Sequence, residues 1–414
     1  MGHWVKIFLI MIFPVMLFSS SCRNNEETAG RLPREGIWRG SIYIQDQELP
    51  FNFQLYHRDD GIEIELINRG ERILLDNINL SGDSIIIPMH IFDTSIRARY
   101  SDGSMAGVWQ KNYLDDYVAP FRANFGNDFR FSSDPGPATA DFGGRWEVYF
   151  LDGTDSTLSV GVFRQQGNLL EGTFLNPTGD YRYLEGEVDG DSLKLSTFEG
   201  EHAYLFKAVM AGDGKLSGMY WSGKTWSQPW IARRNPDITL PDPDSLTFLK
   251  PGFDRIKFAL PDLDGHIVTL DDPAFRNKVI ILQIFGTWCS NCMDETRFLS
   301  AWYERNRDRG VEIVAIAFER KDDLDYARDR IMRMKERFGI NYKFLFGGRS
   351  DKQAAAEVLP MLNTVVSFPT TLVIDREGNI RKIHTGFSGP GTGKYYDQFV
   401  EEFNIFMDKL LNEE

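Results

Sequence analysis

Cys289 and Cys292 flank Ser290 and Asn291 where an apolar run over 279–285 gives way to a helical pattern. A gap of two residues sets the sulfurs about one helical turn apart, close enough to close a disulfide. The chemistry this offers is two-electron exchange between a dithiol and a disulfide. A sulfur at a helix start meets unpaired backbone N–H groups and the positive end of the helix dipole, which favour a thiolate. Cys289 is therefore the expected nucleophile. Cys292, one turn deeper, is expected to be less exposed and to resolve the mixed disulfide. Glu295 shares a helical stripe with Cys292, Leu299 and Trp302, and the stripe is otherwise apolar. Burial there would raise its pKa and suit it to carrying protons during exchange. A solvated first-turn glutamate that favours the helix dipole is the other reading, and both stay open at this level.

The elements that must hold these residues follow from the pattern around them. The nearly continuous apolar run 278–285 reads as a central strand covered on both faces, and 291–308 as the helix that carries the thiols. A second buried strand is expected over 312–318, a helix over 322–338, an extended segment over 342–346 and a short helix over 352–359. A hairpin then joins 370–374 to 380–385, and 395–411 is the closing helix. A further hairpin turns at Asp264-Gly265. Alternating strands and helices imply an α/β sheet with helices on both faces. Ahead of this domain, expected over 255–414, the proline-rich stretch 236–243 marks a linker over 235–254.

Upstream, the chain repeats itself. Gly36-Ile37-Trp38 returns as Gly144-Arg145-Trp146, Ile67-Asn68 as Leu175-Asn176, and Gly82-Asp83-Ser84-Ile85 as Gly190-Asp191-Ser192-Leu193, all offset by 144 − 36 = 108 residues. Each copy, 36–125 and 143–234, reads as short alternating strands with Gly/Asp/Asn turns, so an antiparallel barrel or sandwich per copy is expected, with one merged sheet as the alternative. Trp38, Trp146, Trp221, Trp226 and Trp230 either line a ligand cavity or plug the barrel interiors. The region holds no acid, base and nucleophile together.

The C-terminal residues resemble the thioredoxin superfamily, and within it the membrane-tethered TlpA-like and ResA-like thiol-disulfide reductases of the bacterial envelope. The resemblance rests on Phe285-Gly286-Thr287-Trp288-Cys289-Ser290-Asn291-Cys292, on Val311-Glu312-Ile313-Val314-Ala315-Ile316, and on Phe368-Pro369-Thr370-Thr371-Leu372-Val373-Ile374-Asp375. It covers about residues 255–411. It implies a thioredoxin-like fold, a cis-proline at Pro369 facing the sulfurs, and a substrate chain that runs along Phe368 beside Trp288 by β-strand addition. It also implies a functional glutamate at Glu295. Gln283 departs from the pattern, standing where many thioredoxins carry a buried acid. Asn291 also departs, replacing a proline often found before the second cysteine.

At the N-terminus, Lys6 precedes an apolar run over 7–18, too short for the roughly 20 residues a membrane-spanning helix needs. Ser19-Ser20-Ser21-Cys22 follows it and resembles a bacterial lipobox. Residues 1–21 then read as a lipoprotein signal peptide, Cys22 as the lipidated residue and 22–35 as a tether; an ordinary secretory signal with Cys22 free is the alternative. Both place the protein outside the cytoplasm, in the cell envelope facing the periplasm, with the outer membrane open. The net charge of −14 argues against nucleic acid, which needs a basic surface. The six histidines are scattered without metal-ligand pairs, so no metal and no cofactor is expected.

Together these readings describe an exported, lipid-anchored thiol-disulfide oxidoreductase that reduces protein disulfides with electrons from a membrane thiol donor. A disulfide-forming oxidase is the enzymatic rival. A binding lipoprotein whose β repeats do the work is the rival of a different class. A peroxidase is disfavoured, because the P-x-x-x-T-x-x-C pattern is missing around Cys289.

Overall fold

The computed structural model describes residues 1–2 and 32–413. The leader pattern after residue 2 and the lipobox cysteine Cys22 lie outside the described residues.

The two β copies fold differently. In the second, Leu169–Asn176 pairs on one side with Asp155–Gln166 and on the other with Leu184–Asp189, which closes an eight-stranded antiparallel barrel. In the first, the matching strand Gly61–Asn68 turns at Arg69-Gly70 and spends its second edge on the hairpin strand Glu71–Leu75. That sheet, nine strands with Glu71–Leu75 and Asn79–Ser81 at its edges, stays open as a half-barrel.

The opening is filled by the second copy. Phe198, fully buried, packs at 4.6 Å from the Phe51 ring and 5.5 Å from Trp109. The Gly200 carbonyl accepts from Thr94 Oγ1 at 2.7 Å and from Trp109 Nε1 at 3.0 Å, and Asn68 Nδ2 donates to the Phe198 carbonyl at 2.9 Å. An exposed sheet edge and an unfilled interior are thus covered from within the chain. Trp38, Trp146 and Trp230 are buried in these interiors, as plugs. Trp226 is exposed and Trp221 half-buried, so the five tryptophans do not line one cavity.

The C-terminal domain is built on a five-stranded sheet in the order Lys343–Arg349, Val311–Glu319, Val279–Phe285, Thr370–Ile374, Ile380–Thr385. The first three strands run parallel; Thr370–Ile374 is antiparallel to the central one, and Ile380–Thr385, antiparallel in turn to Thr370–Ile374, runs in the central strand's direction. Every residue of Val279–Phe285 is buried. Because successive side chains point to opposite faces, both faces of this strand are covered. Four helices join the strands: α1 (Ser290–Asn306), α2 (Leu324–Phe338), α3 (Lys352–Val358) and α4 (Lys394–Leu411). Phe298 and Trp302 of α1 meet Phe403 of α4 edge-on at 5.1 and 5.4 Å, fixing the helix that carries the thiols. Asp323 caps α2 by accepting from the Tyr326 amide, and Gly339 ends it at φ 62°, a left-handed position suited to glycine. The short hairpin Leu260–Pro261 with Ile267–Val268 precedes the sheet.

Candidate active site

The central strand ends at Phe285, and the chain crosses Gly286-Thr287-Trp288 before α1 starts. Cys289 is the N-cap residue of α1: its Sγ accepts from the Cys292 amide at 3.2 Å, a place usually held by a Ser or Asp oxygen. Cys289 is 8% exposed and Cys292 0%, so the outer sulfur is the accessible one. Burial pushes the Cys292 thiol well up, and the neighbouring Cys289 adds to this. Phe368–Pro369 is cis. The Phe368 carbonyl lies 3.3 Å from Cys289 Sγ, accepting from it when the thiol is protonated. Trp288 is half-buried, its Nε1 donates to the Phe318 carbonyl at 2.8 Å, and its ring meets Phe368 edge-on at 5.7 Å. Cys289, Cys292, Trp288, Phe368 and Pro369 therefore come together at one end of the sheet.

Glu295 lies beneath them. Its Oε2 accepts from Gln283 Nε2 at 2.8 Å and its Oε1 from Thr371 Oγ1 at 2.8 Å. It is 2% exposed, and burial raises its carboxyl to about 7 against the hydrogen bonds from Gln283 and Thr371, which lower it. The solvated alternative is thereby excluded. Gln283, where an acid is common in the resembling family, serves as a donor to this carboxylate.

Several parts of the site escaped sequence reasoning. Glu319, the last residue of Val311–Glu319, is buried beside the thiol loop. Its two oxygens accept from the Thr287 amide at 2.9 Å and from Thr287 Oγ1 at 2.7 Å, and burial lifts it to about 7. Its signal was a carboxylate directly after the apolar run 313–318 of a parallel strand. The second missed part comes from the closed barrel. Residues 178–182 lie across the start of α1: the Thr178 carbonyl accepts from Ser367 Oγ at 2.9 Å, and the Asp180 carbonyl accepts from Asn291 Nδ2 at 3.3 Å. Arg182, fully enclosed, donates to the Ser290 carbonyl at 3.0 Å, pairs with Asp294 at 2.5 Å, and pairs with Glu71 of the half-barrel. Asp180, pushed up to about 6 by burial, accepts from the Gly389 amide at 2.7 Å. Arg320 lies 4.0 Å from the Trp288 ring centre and donates to Glu201 of the barrel at 3.2 Å. No local periodicity marks the contacts made by the barrel segment and Glu201, because they join residues more than 100 apart in the chain.

Among the described residues one trio brings potential metal ligands together: Asp262, Asp264 and His266, with ligand atoms within 4.8 Å of one another. Asp262 Oδ1 already accepts from the backbone amides of Asp264 and His266 at 3.0 Å each, which accounts for the cluster as a turn. No described helix is long and apolar enough to cross a membrane.

The sequence model of the AhpC/TSA family matches residues 252–383. Thiol-disulfide oxidoreductase ResA of Geobacillus kaustophilus (strain HTA426) is 30% identical over 129 residues, which is 31% of this chain and 66% of that protein. Its namesake in Bacillus subtilis (strain 168) is 27% identical over 138 residues, 33% of this chain and 69% of that protein. The chain spans just under two thirds of the first of these relatives. Among solved structures, a thiol:disulfide interchange protein of the thioredoxin family from Chlorobium tepidum TLS is similar at 19% identity and a TM-score of 0.29, covering 38% of this chain and 96% of that one. A thiol-disulfide oxidoreductase from Bacteroides fragilis NCTC 9343 is similar at 13% identity and a TM-score of 0.27, covering 36% and 99%. The match over residues 252–383 and the likeness to ResA support a thioredoxin-superfamily, ResA-like C-terminal domain.

Proposed function

We propose that this protein is a thiol-disulfide oxidoreductase that reduces protein disulfides through Cys289 and Cys292. The observation that carries the reading is the pairing of an accessible N-cap sulfur with a buried partner one turn along, opposite the Phe368 carbonyl. The Cys289 thiolate attacks a substrate sulfur, a mixed disulfide forms, and one substrate sulfur leaves with the electron pair. Cys292 then attacks Cys289 Sγ, the bond to the second substrate sulfur breaks, and that sulfur also leaves as a thiolate. The substrate disulfide is reduced, and the pair is oxidised to Cys289–Cys292. Trp288 and Phe368 form the wall along which the substrate chain lies, with Pro369 holding the Phe368 carbonyl in place. Glu295 takes the proton that Cys292 gives up: a carboxyl raised to about 7 is matched to that task near neutral pH.

The reading extends to location. Cys22 carries a lipid anchor after removal of residues 1–21, and residues 22–35 tether the domains to a membrane of the cell envelope on its periplasmic side. A membrane thiol protein restores the dithiol there, since an oxidising compartment supplies no reductant of its own. Trapping tests the reading. A Cys292→Ala variant expressed in cells should accumulate mixed disulfides with envelope proteins on Cys289, and Cys289→Ser should accumulate none. Trapping that is equal in the two variants would refute it. Metabolic labelling with a palmitate analogue should mark the wild type and spare Cys22→Ser.

A further inference from the structure

Glu295 is almost wholly enclosed, so a proton that it takes up must leave by some route. A cavity of about 150 Å³ ends on it. Its walls include Glu295, Thr371, His384, Asp244, Phe399 and Glu402, drawn from α1, α4, the strands Thr370–Ile374 and Ile380–Thr385, and the turn Pro243–Ser245 of the linker. Thr371 and His384 are directly opposite each other in the antiparallel pairing. Their side chains therefore share one face, with Cβ atoms about 5 Å apart. Thr371 Oγ1 is the group that donates to Glu295 Oε1.

His384 is held from the other side. Its Nδ1 lies 2.7 Å from Asp244 Oδ1, while Lys382 Nζ takes the other Asp244 oxygen at 2.9 Å. With Nδ1–H donated to a carboxylate, Nε2 is left as the acceptor, the arrangement that sets a histidine tautomer for proton transfer. His384 also lines the adjoining cavity of about 360 Å³, which lies between the closed barrel, the linker and α4. It thus stands where the two spaces meet. The charged groups facing it are Asp244 from the linker, Lys382 on its own strand, Glu402 from α4, Glu295 from α1 and, across the larger cavity, Arg145 from the closed barrel.

We propose that His384, oriented by Asp244, relays protons between solvent and Glu295 through this cavity, on the linker side of the domain and apart from the substrate face. The relay rests on the dithiol reading above. When Cys292 attacks Cys289 Sγ, the new sulfur–sulfur bond forms and the bond to the substrate sulfur breaks, with the electron pair leaving on that sulfur. The proton from Cys292 goes to the Glu295 carboxylate, then to His384 Nε2, then to water in the larger cavity. His384 never touches the reacting sulfurs; it positions and passes a proton.

The test uses the full chain and a fluorescent peptide disulfide in single turnover, reading separately the formation of the mixed disulfide and the release of the second thiol. His384→Ala should leave formation unchanged and slow release tenfold or more between pH 6 and 8, on the order of a general acid–base contribution. Imidazole added to the buffer should restore most of the release rate. His384→Gln, which keeps a donor toward Asp244, should be as slow as His384→Ala with an unaltered melting temperature. Release at the wild-type rate in both variants overturns the relay. So does a slowed release that imidazole does not restore. Wild-type protein that forms no mixed disulfide at all refutes the dithiol reading, and the relay with it.

Discussion

Glu295→Gln isolates the buried carboxyl on which proton handling depends. Burial raises Glu295 from 4.5 to about 7. In the unfolded chain it titrates near the ordinary value, so between pH 4.5 and 7 the folded state binds more protons than the unfolded one. Stability contributed by this group is then present below pH 4.5 and falls as pH rises toward 7. At about 1.4 kcal/mol for each tenfold difference in proton affinity, the ionised form costs the fold about 3 kcal/mol above pH 7. Glutamine imitates the protonated acid. Each presents one donor to Gln283 and so asks for the same reorientation of the Gln283 amide, whose oxygen faces Thr296 Oγ1 at 3.3 Å. The assay is urea unfolding of reduced wild type and Glu295→Gln at pH 4.5, 6, 7 and 8.5. The difference between them should be small at pH 4.5 and grow to about 3 kcal/mol in favour of the variant above pH 7. Glu319, also raised to about 7, is present in both proteins and cancels. Stability curves that stay parallel across this range would refute the buried, raised carboxyl.

Other predictions concern the two β copies. Residues 178–182 cover the start of α1, so loosening them should expose Cys289. Arg182→Met leaves Asp294 and Glu71 without their buried cation, at a cost of about 3–5 kcal/mol; alkylation of Cys289 by a bulky maleimide should accelerate, while that by iodoacetamide changes less. Gly386→Ala should act the same way without a charge change, because Gly386 has φ +80° and an added Cβ would lie 2.8 Å from the Thr178 carbonyl carbon. Unchanged maleimide rates in both variants would show that the barrel segment does not restrict access. Phe198→Ala removes the ring that fills the half-barrel and should cost about 3–5 kcal/mol in chemical denaturation; a loss below 1 kcal/mol would show that the opening is closed by other means.

Much of the C-terminal domain was legible because its signals are local. An apolar run bounded by Lys278 and Gly286 gives the central strand, and Thr370–Ile374 and Ile380–Thr385 fall where the pattern places them. The stripe Cys292, Glu295, Leu299, Trp302 offered a buried carboxyl as one of two readings of Glu295, and the packing of α1 decides for it. The duplication was legible as well, but its closure was not. Whether Gly61–Asn68 or Leu169–Asn176 has a free edge depends on what its hairpin partner takes, and identical landmarks conceal that choice. Glu319 and Arg182 stayed hidden for a related reason. Each is a single charged residue whose burial is made by partners distant in the chain, and a charge read alone looks solvated.

The central claim is that the sulfurs of Cys289 and Cys292 exchange electrons reversibly within the folded protein. Equilibrating the native protein in a series of thiol–disulfide buffers, then alkylating and mapping peptides, tests it most directly. Both sulfurs should be alkylated at the reducing end and neither at the oxidising end, with a Cys289–Cys292 linkage in between that returns to the dithiol when the buffer is reversed. Cysteines that remain alkylated, or remain unreactive, across the whole series would contradict it.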